Sequence, residues 1–186
     1  MKLLSFLVLV LSTMPAVAQT SFLGVGLDAP FPGSMPACPK MKNVDMVDRE
    51  ALKSAGTCFV LEAPNKYYVM NGPDIGIGRT FWVETQVGKP LWFRLKFGKE
   101  QYPLAVEIFT TKFGKPQKSA SEKIYTRAGE VFDSRTHAWG GARLRIELNE
   151  VGRDVRWSDG AILNVALSNE LERQMKLDAK AAAENL

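Results

Sequence analysis

Two stretches of strict alternation, 81–87 and 91–97, constrain this chain more than anything else in it. Phe81, Val83 and Val87, with Thr85 among them, share one parity; Trp82, Glu84 and Gln86 share the other. After Gly88-Lys89-Pro90 the pattern resumes, with Leu91, Phe93, Leu95 and Phe97 against Trp92, Arg94 and Lys96. A period of two sends successive side chains to opposite faces, so each stretch reads as a strand with one apolar face. Gly88 tolerates positive φ and Pro90 fixes its own, so the residues between the strands read as a hairpin loop. A three-residue loop pairs Val87 with Leu91, Thr85 with Phe93, Val83 with Leu95 and Phe81 with Phe97. It also sets Glu84 opposite Arg94, Trp82 opposite Lys96 and Gln86 opposite Trp92. Such cross-strand pairs are worth about 0.2–1 kcal/mol each.

The hairpin leads into a helix expected over 103–113. Pro103 suits the first turn, where its missing N–H is not needed, and Ala105, Ile108, Phe109 and Phe113 recur at helical spacing. Gly114 and Pro116 end it, with Lys112 near the negative end of its dipole. Its apolar stripe is expected to pack on the apolar face of the hairpin, making Phe93, Phe97, Ile108, Phe109 and Phe113 core residues.

Short strands flank this unit. Cys58-Phe59-Val60-Leu61 and 67–70 read as a hairpin around Ala63-Pro64-Asn65-Lys66. Ile124 and Tyr125 precede Ala128-Gly129, and Val131 and Phe132 follow, with Tyr125 opposite Phe132; 117–120 reads as a polar loop. Residues 137–141 break the pattern before a clean strand over 142–148, with Leu144, Ile146 and Leu148 inward and Arg143, Arg145 and Glu147 outward. Residues 149–160 read as turns around Val155 and Trp157, and 161–167 as a last strand. Ser168 or Asn169, with Glu172 completing a capping box, starts a C-terminal helix over 169–186. The fold class expected is therefore α+β: a single domain with a mostly antiparallel sheet, one packing helix and a long C-terminal helix. The layout resembles that of small exported α+β proteins such as envelope-assembly accessory proteins and inhibitor-like domains. That is a likeness of architecture, from which function does not follow.

The first 18 residues read as an address. Lys2 gives a basic start, 3–11 an apolar run, and Ala16-Val17-Ala18 a small-x-small cleavage pattern, placing the domain in 19–168. No apolar run reaches the roughly 20 residues of a membrane-spanning helix. Periplasmic or secreted localisation follows as the expectation. The two cysteines, Cys38 and Cys58, are then expected to form a disulfide that ties the Gly/Pro-rich segment 21–40 to the first strand of the sheet.

No motif announces catalysis. The chain has one histidine, His137, and a hydrolase would have to recruit Ser134 with Asp133 or Asp159 around it, without a nucleophile elbow. No metal-ligand or phosphate-loop pattern occurs, so no metal or other cofactor is expected. The net charge is +4, and between 79 and 156 there are 15 basic and nine acidic residues. Such a surplus favours acidic partners; the partner expected is another protein or an anionic envelope component, and nucleic acid is not expected. The binding residues expected are Trp82, Trp92, Arg94 and Lys96 on the outward face of the hairpin, with Arg143 and Arg145 beside them. Exposed Trp with Arg is the composition of binding hot spots. The alternatives are an inhibitor or immunity protein, and the small hydrolase using His137. Whether the N-terminal segment or the C-terminal helix covers that face is left open at this level.

Overall fold

A computed structural model describes residues 20–42, 46–126, 129–152 and 154–184. The export signal expected at 1–18 lies outside them. The N-terminal segment contributes a small hairpin, β1 (Ser21–Phe22) and β2 (Val25–Gly26), followed by the short helix α1 (Arg49–Ser54). Eight further strands form one sheet: β3 (Cys58–Ala63), β4 (Lys66–Met70), β5 (Arg79–Gln86), β6 (Lys89–Gly98), β7 (Lys118–Tyr125), β8 (Val131–Gly140), β9 (Leu144–Asn149) and β10 (Trp157–Asn164). Helix α2 (Tyr102–Phe113) joins β6 to β7, and α3 (Val165–Glu184) follows β10. The strand order is β3-β4-β5-β6-β10-β9-β8-β7, antiparallel throughout. The fold is the α+β arrangement expected from the patterning.

The topology is two four-stranded meanders joined at β6 and β10. Helix α2 carries the chain from the middle of the sheet to its far edge. Four strand spacings are about 19 Å and twelve helical residues about 18 Å, so the helix length matches the crossing. The helix lies on the face lined by Phe81, Val83, Phe93, Leu95 and Phe97, each at most 2% exposed. Phe22 packs there too, its ring centroid 5.3 Å from that of Phe93 and 6.4 Å from that of Phe109. The Gly/Pro-rich segment 21–40 therefore supplies core: Phe22, Leu23, Val25, Leu27 and Phe31 are buried with the sheet.

The central hairpin keeps the expected faces but not the expected register. Trp82 stands opposite Arg94, Val83 opposite Phe93 and Phe81 opposite Leu95, with a bulge between Glu84 and Thr85. The loop has two residues, because Val87 (φ 50°) and Gly88 (φ 73°) both take left-handed backbone. Two such residues make the turn whose twist matches that of its strands. Up to the bulge the partner moves by two residues, which leaves 81–84 and 92–97 on their faces; beyond it the shift is three, and Leu91, expected inward, is unpaired in the bulge. Val87, also expected inward, sits in the turn and is 76% exposed.

Three other boundaries differ. Strand β8 runs unbroken through His137 and Trp139, and its partner β7 starts at Lys118, where a loop was expected; Tyr125 faces Val131 rather than Phe132. Strand β10 begins at Trp157, within the stretch expected to turn. Helix α3 starts at Val165 because Asn164, 1% exposed, accepts from the Leu167 N–H (3.3 Å), while its Nδ2 donates to Leu27 O and Pro90 O, both at 3.0 Å. One buried amide thus caps the helix and ties the N-terminal segment and β6 to it.

Cys38 and Cys58 form a disulfide, closing a sequence separation of 20 residues. It holds 36–38 against the edge of β3, where Cys38 N–H donates to Phe59 O (2.8 Å) and Phe59 N–H to Pro36 O (3.0 Å). Among the described residues no helix is long and apolar enough to cross a membrane.

Two stability outcomes follow. Val87→Asn relieves a β-branched residue of left-handed backbone at a site with no packing to lose, by about 1 kcal/mol. The melting temperature should rise by about 2–4 °C, and an unchanged or lower value would contradict the turn geometry. The double variant Cys38→Ser/Cys58→Ser should lose about 3 kcal/mol in denaturant unfolding.

Candidate binding face

The polar parity of the strands builds the other side of the sheet. Register aligns Tyr68, Trp82, Arg94, Ala161 and Glu147 in one cross-strand row. Lys66, Glu84, Trp92, Leu163 and Arg145 form a second, and Lys96, Asp159 and Asn149 part of a third. Neighbours across and along these rows touch. The Arg94 guanidinium lies 4.7 Å over the Trp92 ring and its Nε is 3.7 Å from Glu84. Tyr68 and Trp82 have ring centroids 5.7 Å apart, with Lys66 Nζ 5.8 Å over the Trp82 ring. Lys96 Nζ lies 4.8 Å over the ring of Trp157, at the start of β10.

A cleft of about 500 Å³ runs over these rows, from Lys66 and Trp82 to Asn149 and Trp157. Its floor is low because β10 turns only Ala161 toward it between Arg94 and Glu147. Its wall on the β9–β10 loop depends on Gly152, where a Cβ would meet Asp159 Oδ2 at 2.8 Å and Trp157 O at 3.1 Å. Asn149 Nδ2 donates to Asp159 Oδ1 (3.1 Å) and Glu147 Oε1 (3.3 Å), fixing both carboxylates beside the floor. On the rim, Arg156 hydrogen-bonds Asp154 and holds its carboxyl down to about 2.

The charge of the cleft is mixed. Lys66, Arg94 and Lys96 share it with Glu84, Glu147, Asp154 and Asp159. The basic surplus counted along 79–156 is not gathered here, because β9 and the β9–β10 loop bring carboxylates to the same place.

Of the residues expected to bind, Trp82, Arg94 and Lys96 line the cleft and Trp92 supports Arg94 from the adjoining row. Arg145 is exposed on the same face but beyond the cleft, opposite Leu163. Arg143 precedes β9 and is ion-paired to Asp28 of the N-terminal segment. Tyr68, Trp157, Ala161, Glu147 and Asp159 were not foreseen as part of this face. Only Glu147 carried a signal, its outward parity in a clean strand.

Neither candidate cover lies over the cleft. The N-terminal segment packs into the aromatic core on the opposite side of the sheet. Helix α3 contacts β6, β10 and β9 through its first turns, where Val165, Leu167, Ser168 and Leu171 are half-buried, but none of its residues lines the cleft and every side chain from Glu172 to Ala183 is exposed.

The hydrolase constellation is not assembled. His137 lies on the core side of β8, its Nδ1 2.9 Å from the hydroxyl of the fully buried Tyr102, which also donates to Arg135 O (2.9 Å). Ser134, three residues back, faces the other side of the sheet and accepts from the Val151 N–H. Asp159 is on that other side as well, and Asp133 is four residues along the strand, about 13 Å away. No group of three or more His, Cys, Asp or Glu side chains among the described residues is placed to hold a metal. Comparison with protein-family models, curated proteins and solved structures finds no match to the chain.

The His137 environment has a thermodynamic signature. Burial, and then the nearby Arg135 guanidinium, push its pKa below 6.5. The unfolded chain then binds the proton more readily than the folded one. Stability from this group is complete above pH 6.5 and declines as the pH falls from there toward the lower folded value. Because the chain has a single histidine, the melting temperature should drop between pH 7.5 and 5.5, and His137→Gln should flatten that interval. A flat wild-type profile would contradict the assignment.

Proposed function

We propose that this is an exported, non-enzymatic interaction protein that captures a partner protein in the cleft on the outer face of its sheet. The observation that carries the reading is that Trp82, Trp92 and Trp157, with Arg94 and Lys96, stand on the face the fold leaves uncovered. Large aromatics with arginine around a recessed floor are the composition of an interaction hot spot. The mixed charge favours a protein surface bearing both signs over an anionic polymer, which Glu84, Glu147, Asp154 and Asp159 would repel. Export is supported by the N-terminal signal pattern and by the Cys38–Cys58 disulfide, a bond that persists in oxidising compartments.

The test is capture of partners from envelope extract on immobilised, disulfide-bonded protein, read by mass spectrometry. Trp82→Ala and Arg94→Ala should each weaken capture by about tenfold or more. Ala161→Leu, which fills the floor and removes no contact group, should do the same. Leu104→Ala, on the exposed side of α2, should bind as wild type. Equal capture by wild type and all three cleft variants would sink the reading.

A further inference from the structure

An open sheet has two edges, and this one treats them differently. The β3 edge is closed at its Cys58 end by 36–38, held there by the disulfide. Among the described residues no strand or segment pairs with the outer edge of β7. Strand β7 is eight residues long, pairs with β8 without a bulge, contains no proline, and every residue but Ile124 is exposed. Small central residues, Ser119-Ala120-Ser121, leave its backbone open to close approach. Edge strands of this length are blunted by a bulge, a proline, a cover or charged side chains, and of these β7 has only Lys118, Glu122 and Lys123.

The phase of its hydrogen bonds is set by Thr126 N–H donating to Glu130 O (2.9 Å) in register with the strand pair. Alternation then directs Lys118, Ala120, Glu122 and Ile124 toward β8. Ser119, Ser121, Lys123 and Tyr125 direct their N–H and C=O groups outward.

We propose that β7 pairs antiparallel with β7 of a second copy of this chain, about a two-fold axis at Ala120. Such an axis, perpendicular to the sheet, sets one residue opposite itself. At Ala120 it places Lys118 opposite Glu122 of the other copy, twice over, and Ala120 against Ala120. At Ser121 it leaves Lys118 opposite Ile124. At Glu122 or Lys123 it opposes like charges, which is destabilising. Only the Ala120 axis pairs Lys118 with Glu122, leaving Lys123 opposite the neutral Gln117, and it makes the Lys118–Glu122 pairs the close, non-hydrogen-bonded ones, with Cα atoms about 4.5 Å apart. Among the described residues neither Lys118 nor Glu122 has an ion-pair partner within its own chain. A perpendicular axis also leaves both outer faces on the same side. If the cleft is the binding site proposed above, the dimer presents two copies in one plane and gains avidity. The pairing itself does not depend on that reading.

One strand pair is a small interface, so the association is weak and concentration-dependent. Sedimentation equilibrium of the disulfide-bonded protein, at low salt and from about 10 to 500 μM, should show monomer passing to dimer. Ser121→Pro removes an outward N–H and spares the β8 ladder, so it should stay monomeric with an unchanged melt. Lys118→Glu should dissociate the dimer by facing Glu122, and Lys118→Glu/Glu122→Lys should restore it. A monomer at every concentration, a dimer that survives Ser121→Pro, or a double exchange that fails to restore association would each overturn the proposal. Because these are mass measurements, their failure is distinct from a failure of the cleft to capture its partner.

Discussion

The aromatic face of the β5–β6 hairpin is the constraint on which the rest of the structure depends. Phe81 and Phe93 lie nearly parallel with centroids 6.1 Å apart, and Phe22 and Phe109 close over them from the N-terminal segment and α2. Burying each such side chain is worth about 1.5–3 kcal/mol, so every element able to cover this face is drawn to it. The N-terminal segment, α2 and Trp139 all pack there. The consequence falls on the other side of the sheet. On the polar parity of β4, β5, β6, β10 and β9 the first turns of α3 reach only the end that holds the buried Leu163, and among the described residues the cleft beside it stays open.

The same division was readable in the sequence, and for a reason that survives an error of detail. Parity depends only on whether a residue is odd or even along its strand. A hairpin misjudged by two residues therefore still has Phe81, Val83, Phe93 and Leu95 inside and Trp82, Arg94 and Lys96 outside. The register itself was hidden because Val87 adopts left-handed backbone, which a β-branched residue rarely does. Strand β7 was hidden because an edge strand with water around it needs no apolar alternation; Lys118-Ser119-Ala120-Ser121 reads as a loop by composition. Trp157 and the start of α3 were misplaced for a related reason. Strand β10 is central, and its outward residues Trp157, Asp159 and Ala161 follow no polar pattern, while Asn164 is a cap buried by tertiary contacts.

The candidate site was half readable. Its β5 and β6 half followed from local alternation. Its β9 and β10 half depends on pairing between β6 and β10, about sixty residues apart in the chain, and no local pattern announces that. This is why the charge surplus counted along the sequence does not describe the cleft: Glu147 and Asp159 arrive there by topology. His137, the one residue that invited a catalytic reading, is engaged by Tyr102 on the core side instead.

The account stands on the claim that one face of the sheet is closed and the other open. Hydroxyl-radical footprinting of the four tryptophans, read by mass spectrometry on the folded protein, measures this directly. Trp157, 39% exposed, should be oxidised fastest, Trp82 and Trp92 measurably, and Trp139, 3% exposed, only on unfolding. Protection of Trp82 and Trp92 equal to that of Trp139 would mean that the outer face is covered, and the account would fail.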